Sequence, residues 1–253
     1  MAASAPTPGG TDFTVLVPAL DEAERIGGVV HEARRAGARQ VLVVDSGSSD
    51  ATAEVAVAAG ASCHRVEDLA PGGPCLGKGD ALWRGLALVE TEVVVFLDGD
   101  LQIDGPEFLG SLLAPLAAGA QLSKANFLRI RPSGVPGPGR ITTLVARPLI
   151  ENVAPELAWM DEPLSGQIAA PVALLRELPF EVDYGVEIGM LLDVHHRHGA
   201  AAIAHPDCGS LAHVSQDDVA LSEMARQVIR AALRRSSDDF ADLEPLPRPP
   251  HGS

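Results

Sequence analysis

Continuous apolar runs alternate with amphipathic segments along the first part of the chain. Strand signals lie at 13–18, 40–45, 63–66 and 93–98, of which FTVLVP, QVLVVD and VVVFLD are the strongest. Helical periodicity lies at 22–36, 51–61 and 81–90. Apolar runs without polar alternation are typical of parallel strands that are buried on both faces. The pattern therefore predicts an α/β fold with a doubly wound, mostly parallel sheet.

The second half of the chain has a less regular pattern. Helices are predicted at 106–120, 141–155, 184–199 and 222–235, and strand-like stretches at 121–130 and 201–213. The segment PLSGQIAAPVALLREL predicts a strand or turn that enters a helix. Residues 1–12 and the acidic, proline-rich residues 236–253 are predicted to be a disordered leader and tail.

Composition narrows the classes of protein that fit. A chain of 253 residues with 46% hydrophobic residues can bury one sizeable core, and it contains no apolar run as long as a membrane span. The formal net charge of −15 disfavours nucleic acid and anionic membranes as partners, because such surfaces recruit Lys and Arg. Three cysteines without ligand spacing and no signal-peptide pattern predict a soluble, cytoplasmic protein.

Four polar motifs fall at or just after predicted strand ends. They are PALDE at 18–22, DSGSSD at 45–50, GKGD at 77–80 and DGD at 98–100. Ligands of doubly wound sheets bind outside the carboxyl ends of the strands. We therefore expect these motifs to line one binding site.

Asp98 and Asp100 suggest a divalent cation. In an extended chain, residues at i and i+2 point the same way, and Gly99 removes bulk between the two carboxylates. Paired carboxylate oxygens suit Mg²⁺ or Mn²⁺, which leaves other ligand positions for water or phosphate. A bare D-x-D is more often an acidic turn before a helix, but the buried strand and the three companion motifs favour the metal.

Lys78 and the β-strand-end residues near it suggest a phosphorylated ligand. Lys78 stands between glycines before a helix, where free N–H groups and an ammonium can bind an anion, although the motif is not a Walker sequence. A flexible surface loop is the alternative interpretation. Asp45 and Ser46 can hydrogen-bond a base or ribose, Glu22 can reach the same crevice, and Asp50 is predicted to cap the following helix.

Taken together, these motifs resemble a known group of enzymes. PALDEAE, VVDSGSSDAT, GKGDALWRGL and VFLDGDL are similar to the nucleotide-sugar glycosyltransferases with the GT-A fold. Further on, GRITTLVARPL, PLSGQIA, LPF and YGVEIGMLLD extend the similarity to the glucosyl-3-phosphoglycerate synthase family, from about Thr14 to Arg235. The resemblance implies a metal-dependent, retaining transfer of glucose from UDP-glucose to a small phosphorylated acceptor. It also implies a nucleotide-sugar-binding half at 13–125 and an acceptor-binding half at 126–235, and we expect a homodimer.

The resemblance assigns roles to individual residues on the donor side. Those expected on the nucleotide are Pro18, Ala19, Leu20, Glu22, Ser46 and Lys78. Asp98 would face the donor sugar, Glu187 would hold the glucose hydroxyls, and Asp100 and His213 would bind the metal. Asp98, Glu187 and Lys78 are the catalytic candidates.

On the acceptor side, the resemblance is partial. Gly139, Arg140 and Thr142 match the loop that binds the acceptor phosphate, and Tyr184 would lie beside it. The chain departs from the family at three positions, where it has Gln167, Leu211 and Ser215 in place of a glutamate, an arginine and an asparagine. Because an arginine is the natural partner of an acceptor carboxylate, its loss predicts a phosphorylated acceptor that lacks that carboxylate or presents another group there.

Two other functions are compatible with parts of the pattern. A sugar-1-phosphate nucleotidylyltransferase uses a similar sheet and metal, but it needs a Gly-rich basic loop where this chain has PALDEAE. A nucleotide-sugar-binding protein without catalysis would not need Asp98, Asp100, Glu187 and His213. Lys124 falls on a matching position after a strand, and no role beyond charge is predicted for it.

Overall fold

The computed structural model describes residues 12–103, 105, 107–130, 136–212 and 218–236. The predicted leader up to residue 11 and the predicted tail from residue 237 lie outside these ranges, as do His213 and Ser215.

The described residues form an α/β structure in which strands and helices alternate through the first half. The strands are β1 (Phe13–Ala19), β2 (Gln40–Asp45), β3 (Ser62–Arg65), β4 (Val93–Phe96), β5 (Leu122–Lys124), β6 (Asn126–Ile130), β7 (Ile168–Pro171), β8 (Ile203–Ala204) and β9 (Asp207–Ala212). The α-helices are α1 (Ile26–Arg35), α2 (Thr52–Ala59), α3 (Lys78–Gly85), α4 (Glu107–Ala117), α5 (Arg147–Val153), α6 (Val172–Glu177), α7 (Val186–His198) and α8 (Asp218–Ser236).

Seven strands form one twisted sheet in the order β3-β2-β1-β4-β7-β5-β8. β1 pairs in parallel with β2 and β4, and β2 pairs in parallel with β3. β7 is antiparallel to both β4 and β5. The parallel strands β1, β2 and β4 therefore end at the same edge, which is where the sequence predicts the ligand site.

Burial of the central strands explains their composition. All four residues of β4 are buried, and β1 and β2 each have a single residue that is not fully buried. Two hydrophobic clusters, one on each face of the sheet, contain the alternate residues of these strands. Burial on both faces removes the need for polar residues at alternate positions.

The acceptor-side pattern at 121–130 was predicted as one stretch of strand, but it forms two. β5 joins the main sheet, whereas β6 pairs in parallel with β9 in a separate two-stranded sheet. The chain changes sheet at Ala125, which is fully buried. β6 and β9 thereby stand beside the edge where the central strands end.

The C-terminal helix is fixed to α7 by a buried charge network. The carboxylate of Glu181 contacts the guanidinium groups of Arg234 and Arg235, and Arg235 also pairs with Asp193 at 2.8 Å. Such contacts compensate for the burial of several charged groups between two helices. α7 itself ends before Gly199, which has φ +78°, as the sequence predicts. Within the described ranges, no helix has both the length and the apolar composition to cross a membrane.

Candidate active site

A cavity of about 560 Å³ opens at the carboxyl edge of β1, β2 and β4 and extends to β6 and β9. Its size lies within the range of small-molecule sites. We call it the central cavity. The predicted donor-side residues that line it are Pro18, Ala19, Leu20, Glu22, Ser46, Lys78, Asp98, Asp100 and Glu187. Residues from all four strand-end motifs therefore line one cavity, as expected.

Asp45 lies beside the central cavity but does not line it. Its Oδ1 atom accepts hydrogen bonds from the backbone N–H of Ser48 at 3.0 Å and from the Ser48 hydroxyl at 2.5 Å. Asp45 instead borders a smaller adjoining cavity of about 210 Å³, which shares Ser46 and Cys75 with the central cavity. One oxygen of this carboxylate thus shapes the turn after β2.

The loop before α1 is shaped by Asp21 and Asp50. Asp21 has φ +54°, and its Oδ1 atom accepts the Ser49 N–H at 2.7 Å. Asp50 accepts the N–H of Thr52 at 2.9 Å and that of Ala23 at 3.1 Å. Asp50 thus accepts the first N–H of α2, but the N-cap residue is Ala51, so the predicted cap does not form in its usual geometry. The same carboxylate joins the two loops. These contacts explain why α1 begins at 26, four residues after the predicted start.

Lys78 is the first residue of α3 rather than part of a free loop. Gly77 before it has φ +142°, and a Cβ there would lie 2.8 Å from the carbonyl oxygen of Val182. Glycine is therefore required both by the backbone conformation and by the close packing. The Asp80 N–H donates to the same carbonyl at 3.0 Å. This packing directs the start of α3 at the central cavity.

A buried ion pair holds the glycine- and proline-rich loop that leads to Lys78. Arg84 and Asp80, which are 3% and 1% exposed, pair at 2.9 Å. The same guanidinium donates to the carbonyl oxygens of Val66, Gly73 and Pro74. Five donors in a fixed fork allow one arginine to bind several loop carbonyls at once.

The centre of the cavity contains a cluster of Lys78, Asp98 and Glu187, which we call the charged trio. The Lys78 Nζ atom lies 2.5 Å from Asp98 Oδ1 and 2.5 Å from Glu187 Oε1. Its side chain is 11% exposed, and that of Glu187 is 10% exposed. The lysine predicted to contact phosphate therefore also joins the two carboxylates predicted to contact the sugar.

Charge pairing decides the protonation states of the trio. Burial alone would lower the pKa of Lys78, but Asp98 and Glu187 outweigh it and hold that pKa well above its ordinary range. Burial would raise the pKa of Asp98, but Lys78 and a hydrogen bond from Gln167 lower it below its ordinary value. The cluster thus contains a charged lysine and a charged aspartate.

Asp98 is held from its other side by the loop before β7. The Gln167 Nε2 atom donates to Asp98 Oδ2 at 2.7 Å. A Cβ on neighbouring Gly166 would lie 2.5 Å from Lys78 Nζ and 2.8 Å from Asp98 Oδ2. Glycine at 166 therefore allows the loop to approach the trio closely. Glutamine also suits this position, because a glutamate would place a second carboxylate against Asp98.

Asp100 and Glu22 form the acidic end of the cavity. Burial, and then the charge of Asp98, raise the pKa of Asp100. Burial, and then the charge of Asp100, raise the pKa of Glu22. Mutual repulsion between carboxylates is relieved by a bound cation, and oxygen ligands suit Mg²⁺ and Mn²⁺. No group of three or more candidate ligands forms a complete metal site among the described residues, and the predicted ligand His213 lies outside them.

The predicted acceptor residues line the opposite wall of the cavity. Gly139, Arg140, Thr142, Tyr184 and Leu211 are all part of it, whereas Ser215 lies outside the described residues. Arg140 pairs with Asp218, the first residue of α8. The Thr142 hydroxyl donates to the buried carboxylate of Glu162 at 3.4 Å.

Arg129 is a cavity residue that the sequence analysis did not identify. It lines the cavity, its Nε atom donates to Glu162 Oε2 at 3.1 Å, and Gly139 lies beside it. In the parallel pairing of β6 with β9, Arg129 is aligned with Leu211, which is 3% exposed. In the structure, Phe127 is buried and Leu128 is exposed, which places 127 and 129 on one face of β6. The sequence carries no such signal, because Phe127 and Leu128 are both apolar.

Three comparisons with known proteins agree with this geometry. The glycosyl transferase family 2 profile matches residues 14–162. A glucosyl-3-phosphoglycerate synthase of Mycolicibacterium paratuberculosis is 40% identical over 239 residues, covering 89% of this chain and 73% of that protein. The Mycobacterium tuberculosis enzyme of that name has been crystallised in complex with Mn²⁺, UDP-glucose and phosphoglyceric acid. This crystal structure matches the present one with a TM-score of 0.82 and 40% sequence identity, over 90% of this chain and 80% of the crystallised chain.

The same Mycobacterium tuberculosis enzyme has also been crystallised with Mn²⁺, UDP-glucose and glycerol 3-phosphate, with the same TM-score, identity and coverage. The comparisons confirm the predicted GT-A fold and the prediction of a glycosyltransferase. The chain belongs to glycosyl transferase family 2 and, within it, to the glucosyl-3-phosphoglycerate synthases.

Proposed function

We propose that this enzyme transfers glucose from UDP-glucose to a small acceptor that carries a phosphate group. The observation that carries the proposal is the charged trio at the carboxyl edge of the sheet, with Asp100 beside it and two arginines on the facing wall. It provides carboxylates for sugar hydroxyls, an ammonium for phosphate and cations for an acceptor phosphate in one cavity. The relatives described above are named for this reaction.

The donor is proposed to lie along the edge formed by β1, β2 and α3. Pro18, Ala19, Leu20, Glu22 and Ser46 would bind the uridine, and the start of α3 with Lys78 would bind the diphosphate. A helix start offers free N–H groups to phosphate oxygens, and Lys78 adds a positive charge. As the diphosphate departs, that charge stabilises the negative charge that develops on it.

Asp100 is proposed as a ligand of a divalent cation, with His213 as a second ligand. The acidic end of the cavity fits this assignment, because the pKa values of Asp100 and Glu22 are both raised, first by burial and then by a neighbouring carboxylate, which is Asp98 for Asp100 and Asp100 for Glu22. Oxygen ligands suit Mg²⁺ or Mn²⁺. When bound, the cation would act as a Lewis acid toward the diphosphate.

The facing wall is proposed to bind the acceptor through its phosphate. Arg140 offers a guanidinium, Thr142 a hydroxyl and Gly139 a backbone that can approach closely. Tyr184, which also lines the cavity, is 38% exposed, and the Lys78 Nζ atom lies 5.8 Å from its ring centre. Residues 13–125 would then serve the donor and residues 126–235 the acceptor, with Glu187 of the second half also contacting the donor sugar.

The transfer itself needs one bond change at the sugar. The bond between the anomeric carbon and the diphosphate oxygen breaks, and a bond from that carbon to an acceptor hydroxyl oxygen forms. The hydroxyl proton passes to the leaving diphosphate oxygen, which balances the reaction. Asp98 and Glu187 would orient the sugar so that the hydroxyl approaches from the face that the diphosphate leaves, which would retain the configuration.

Leu211 bears on which acceptor is used. It is buried in the cavity wall at the position where the family has an arginine, so its side chain cannot pair with an acceptor carboxylate. We therefore propose that this enzyme accepts a phosphate ester without a carboxylate, such as glycerol 3-phosphate, at least as well as 3-phosphoglycerate.

A cytoplasmic location and a homodimer are proposed alongside the reaction. All three cysteines are free thiols in the structure, which supports a reducing compartment. Light scattering on the purified chain measures the number of subunits, and a monomeric mass would contradict the dimer.

A binding and turnover experiment tests the proposed reaction. Thermal shifts are measured with UDP-glucose, other nucleotide sugars and UDP, each with Mn²⁺ and with a chelator. UDP release is then followed with 3-phosphoglycerate, glycerol 3-phosphate, and glycerate as the control without phosphate. Metal-dependent stabilisation by UDP-glucose, with release for the two phosphates and not for glycerate, is expected. Release that is equally fast with glycerate would contradict the acceptor assignment.

A further inference from the structure

Lys124 is one of the two lysines in the chain, and it is completely buried. It ends β5, where its side chain is 0% exposed. The Nζ atom donates to the carbonyl oxygen of Ser165 at 2.7 Å and lies 3.5 Å from that of Glu187. A lysine is rarely buried completely unless its ammonium has a specific partner.

The two carbonyl groups that Lys124 contacts belong to the two segments that carry the charged trio. Ser165 directly precedes Gly166, which lies against Lys78 and Asp98, and Gln167, which donates to Asp98. Glu187, at the start of α7, contacts Lys78 through its side chain. The ammonium of Lys124 therefore joins the backbones of the two segments behind the trio.

Charge balance gives Lys124 a second effect on the trio. Asp98 and Glu187 face one ammonium in the trio, so one negative charge is in excess unless Lys124 is protonated. Among the groups that face Lys124, Glu187 and Asp98 favour its charged form, whereas Lys78 disfavours it. Since these groups interact in a buried site, the charge of Lys124 affects how firmly the two carboxylates are held.

His205 completes the surroundings of Lys124 without adding a charge. Its Nε2 atom accepts the backbone N–H of Glu162 at 3.1 Å, so its Nδ1 atom carries the proton and donates to the Lys124 carbonyl oxygen at 2.8 Å. Burial lowers the pKa of His205 to about 4, which keeps the ring neutral. The Ser165 N–H also donates to the Glu162 carbonyl oxygen at 3.0 Å.

We propose that Lys124, in its protonated form, is a positioning residue that holds the Ser165–Gln167 segment and the start of α7 so that Asp98 and Glu187 face the donor sugar. This inference rests on the proposed glucosyl transfer. Burial lowers the pKa of Lys124 to about 7, so the ammonium loses its proton near neutral pH. Below that pH the ammonium of Lys124 balances the excess negative charge of the trio. Above that pH the excess charge remains, and Asp98 and Glu187 are held less firmly.

The test compares kcat and KM across pH for the wild type, Lys124→Met and Ser123→Ala. Methionine has a similar length and suits a buried position without charge, so Lys124→Met is expected to fold. Ser123 is an equally buried neighbour whose hydroxyl has no hydrogen-bond partner in the described part of the chain. We expect wild-type kcat to fall as pH rises through about 7. Lys124→Met should have a kcat about tenfold or more below that of the wild type, and its kcat should not fall in this pH range. The KM for UDP-glucose should change little. Ser123→Ala should keep the wild-type profile.

A pH profile of Lys124→Met with the wild-type midpoint would overturn the proposal, because a merely structural role changes activity without removing an ionisation. NMR of the protein labelled at lysine gives a second readout that needs neither turnover nor the variant. Only two side-chain signals are expected, and we predict that the Lys78 signal shifts with the same midpoint as Lys124, near 7. A Lys78 signal that stays constant through the titration of Lys124 would overturn the coupling. A wild type without any turnover would contradict the proposed function and leave this NMR result to decide on Lys124.

Discussion

Lys78 and Glu187 are 109 residues apart in the chain, yet the Nζ atom of Lys78 lies 2.5 Å from Glu187 Oε1. This contact joins the first turn of α3 to the first turn of α7, and Asp98, two residues after β4, also pairs with Lys78. The part of the site proposed to bind the diphosphate and the part proposed to bind the sugar thus share one ammonium.

The first prediction concerns the loss of this ammonium. Lys78→Met leaves Asp98 and Glu187 facing each other in a largely buried site. We expect the free energy of unfolding to fall by about 3 kcal/mol, because breaking a buried ion pair leaves an uncompensated charge. We also expect kcat/KM to fall by about 100-fold or more, since a preorganised charge is removed from the departing diphosphate.

Urea unfolding and UDP release measure the two effects of Lys78→Met. The control is Arg39→Met, which removes a surface ion pair with Asp12 whose side chains are 60% and 64% exposed. Exposed pairs contribute less than about 1 kcal/mol, so this variant should retain stability and turnover. Equal effects of the two substitutions would contradict the importance of the trio.

The second prediction concerns Asp98 and pH. Because its pKa is lowered in the folded protein, Asp98 contributes stability above its ordinary value of 3.8, and this contribution is lost as pH falls toward the folded value. In Lys78→Met the charge that lowers the pKa of Asp98 most is absent. The stability difference between wild type and Lys78→Met should therefore shrink between about pH 6 and pH 3. Unfolding midpoints in urea across this range measure it, and a constant difference would argue against the pairing.

The third prediction concerns Asp100, whose pKa shift has the opposite sign. A carboxyl group with a raised pKa lowers stability as pH rises above its ordinary value of 3.8, because the folded state holds its proton more tightly than the unfolded state. Without metal, Asp100→Asn should therefore be more stable than the wild type near neutral pH, and turnover should be lost.

Added Mn²⁺ distinguishes the proposed ligand from an ordinary acidic residue. It should raise the melting temperature of the wild type and leave that of Asp100→Asn nearly unchanged, because ligand binding to the folded state stabilises it. The same metal-induced shift in both proteins would mean that Asp100 is not a ligand.

The fourth prediction concerns the close approach of Gly166 to the trio. In Gly166→Ala the new methyl group would lie 2.5 Å from Lys78 Nζ, so the loop or the trio must move. A displacement of this kind is expected to lower kcat/KM about 10- to 100-fold. Gly28→Ala is the matched control, because a Cβ at this exposed position of α1 meets nothing within 4 Å. Steady-state kinetics measure this effect. If kcat/KM of Gly166→Ala equals that of the wild type, the trio tolerates the displacement.

The fifth prediction concerns acceptor choice. Leu211→Arg restores a guanidinium on β9 at the position aligned with Arg129 on β6. We expect the ratio of kcat/KM for 3-phosphoglycerate to that for glycerol 3-phosphate to rise about tenfold, since a new charge-assisted pair contributes about 1.5 kcal/mol. Leu211→Met, which keeps an apolar side chain of similar volume, should leave the ratio unchanged. If Leu211→Arg and Leu211→Met change this ratio equally, the acceptor carboxylate is recognised by another residue.

The sequence predicted those parts of the site that depend on local pattern. Apolar runs without alternation identified β1, β2 and β4, and their polar C-terminal residues located the site because parallel strands share an edge. The start of α3 was placed three residues late, because the packing of Gly77 and Asp80 on Val182 is not visible in the local sequence. Tertiary contact overrides local propensity at such positions.

Contacts between distant segments were not predictable in the same way. Lys124 was recognised only as a lysine after a strand, and its carbonyl partners follow from how the loop before β7 and α7 pack together. Arg129 and Glu162 form an ion pair across 33 residues, and β6 lies in a different sheet from β5. A pattern of period two or 3.6 carries no information about such partners.

The identity of the reaction products tests the proposed glucosyl transfer to a phosphorylated acceptor. Wild-type protein and Asp100→Asn are incubated with UDP-glucose and Mg²⁺, with either 3-phosphoglycerate or glycerol 3-phosphate, and the products are followed by mass spectrometry and ³¹P NMR. We expect equal amounts of UDP and a glucosylated phosphate ester with the wild type, and neither product with Asp100→Asn or after chelation of the metal. UDP-glucose that stays intact with both acceptors would contradict the proposed reaction. In a parallel incubation with UTP and glucose 1-phosphate, formation of pyrophosphate and UDP-glucose would assign the chain to nucleotidyl transfer instead.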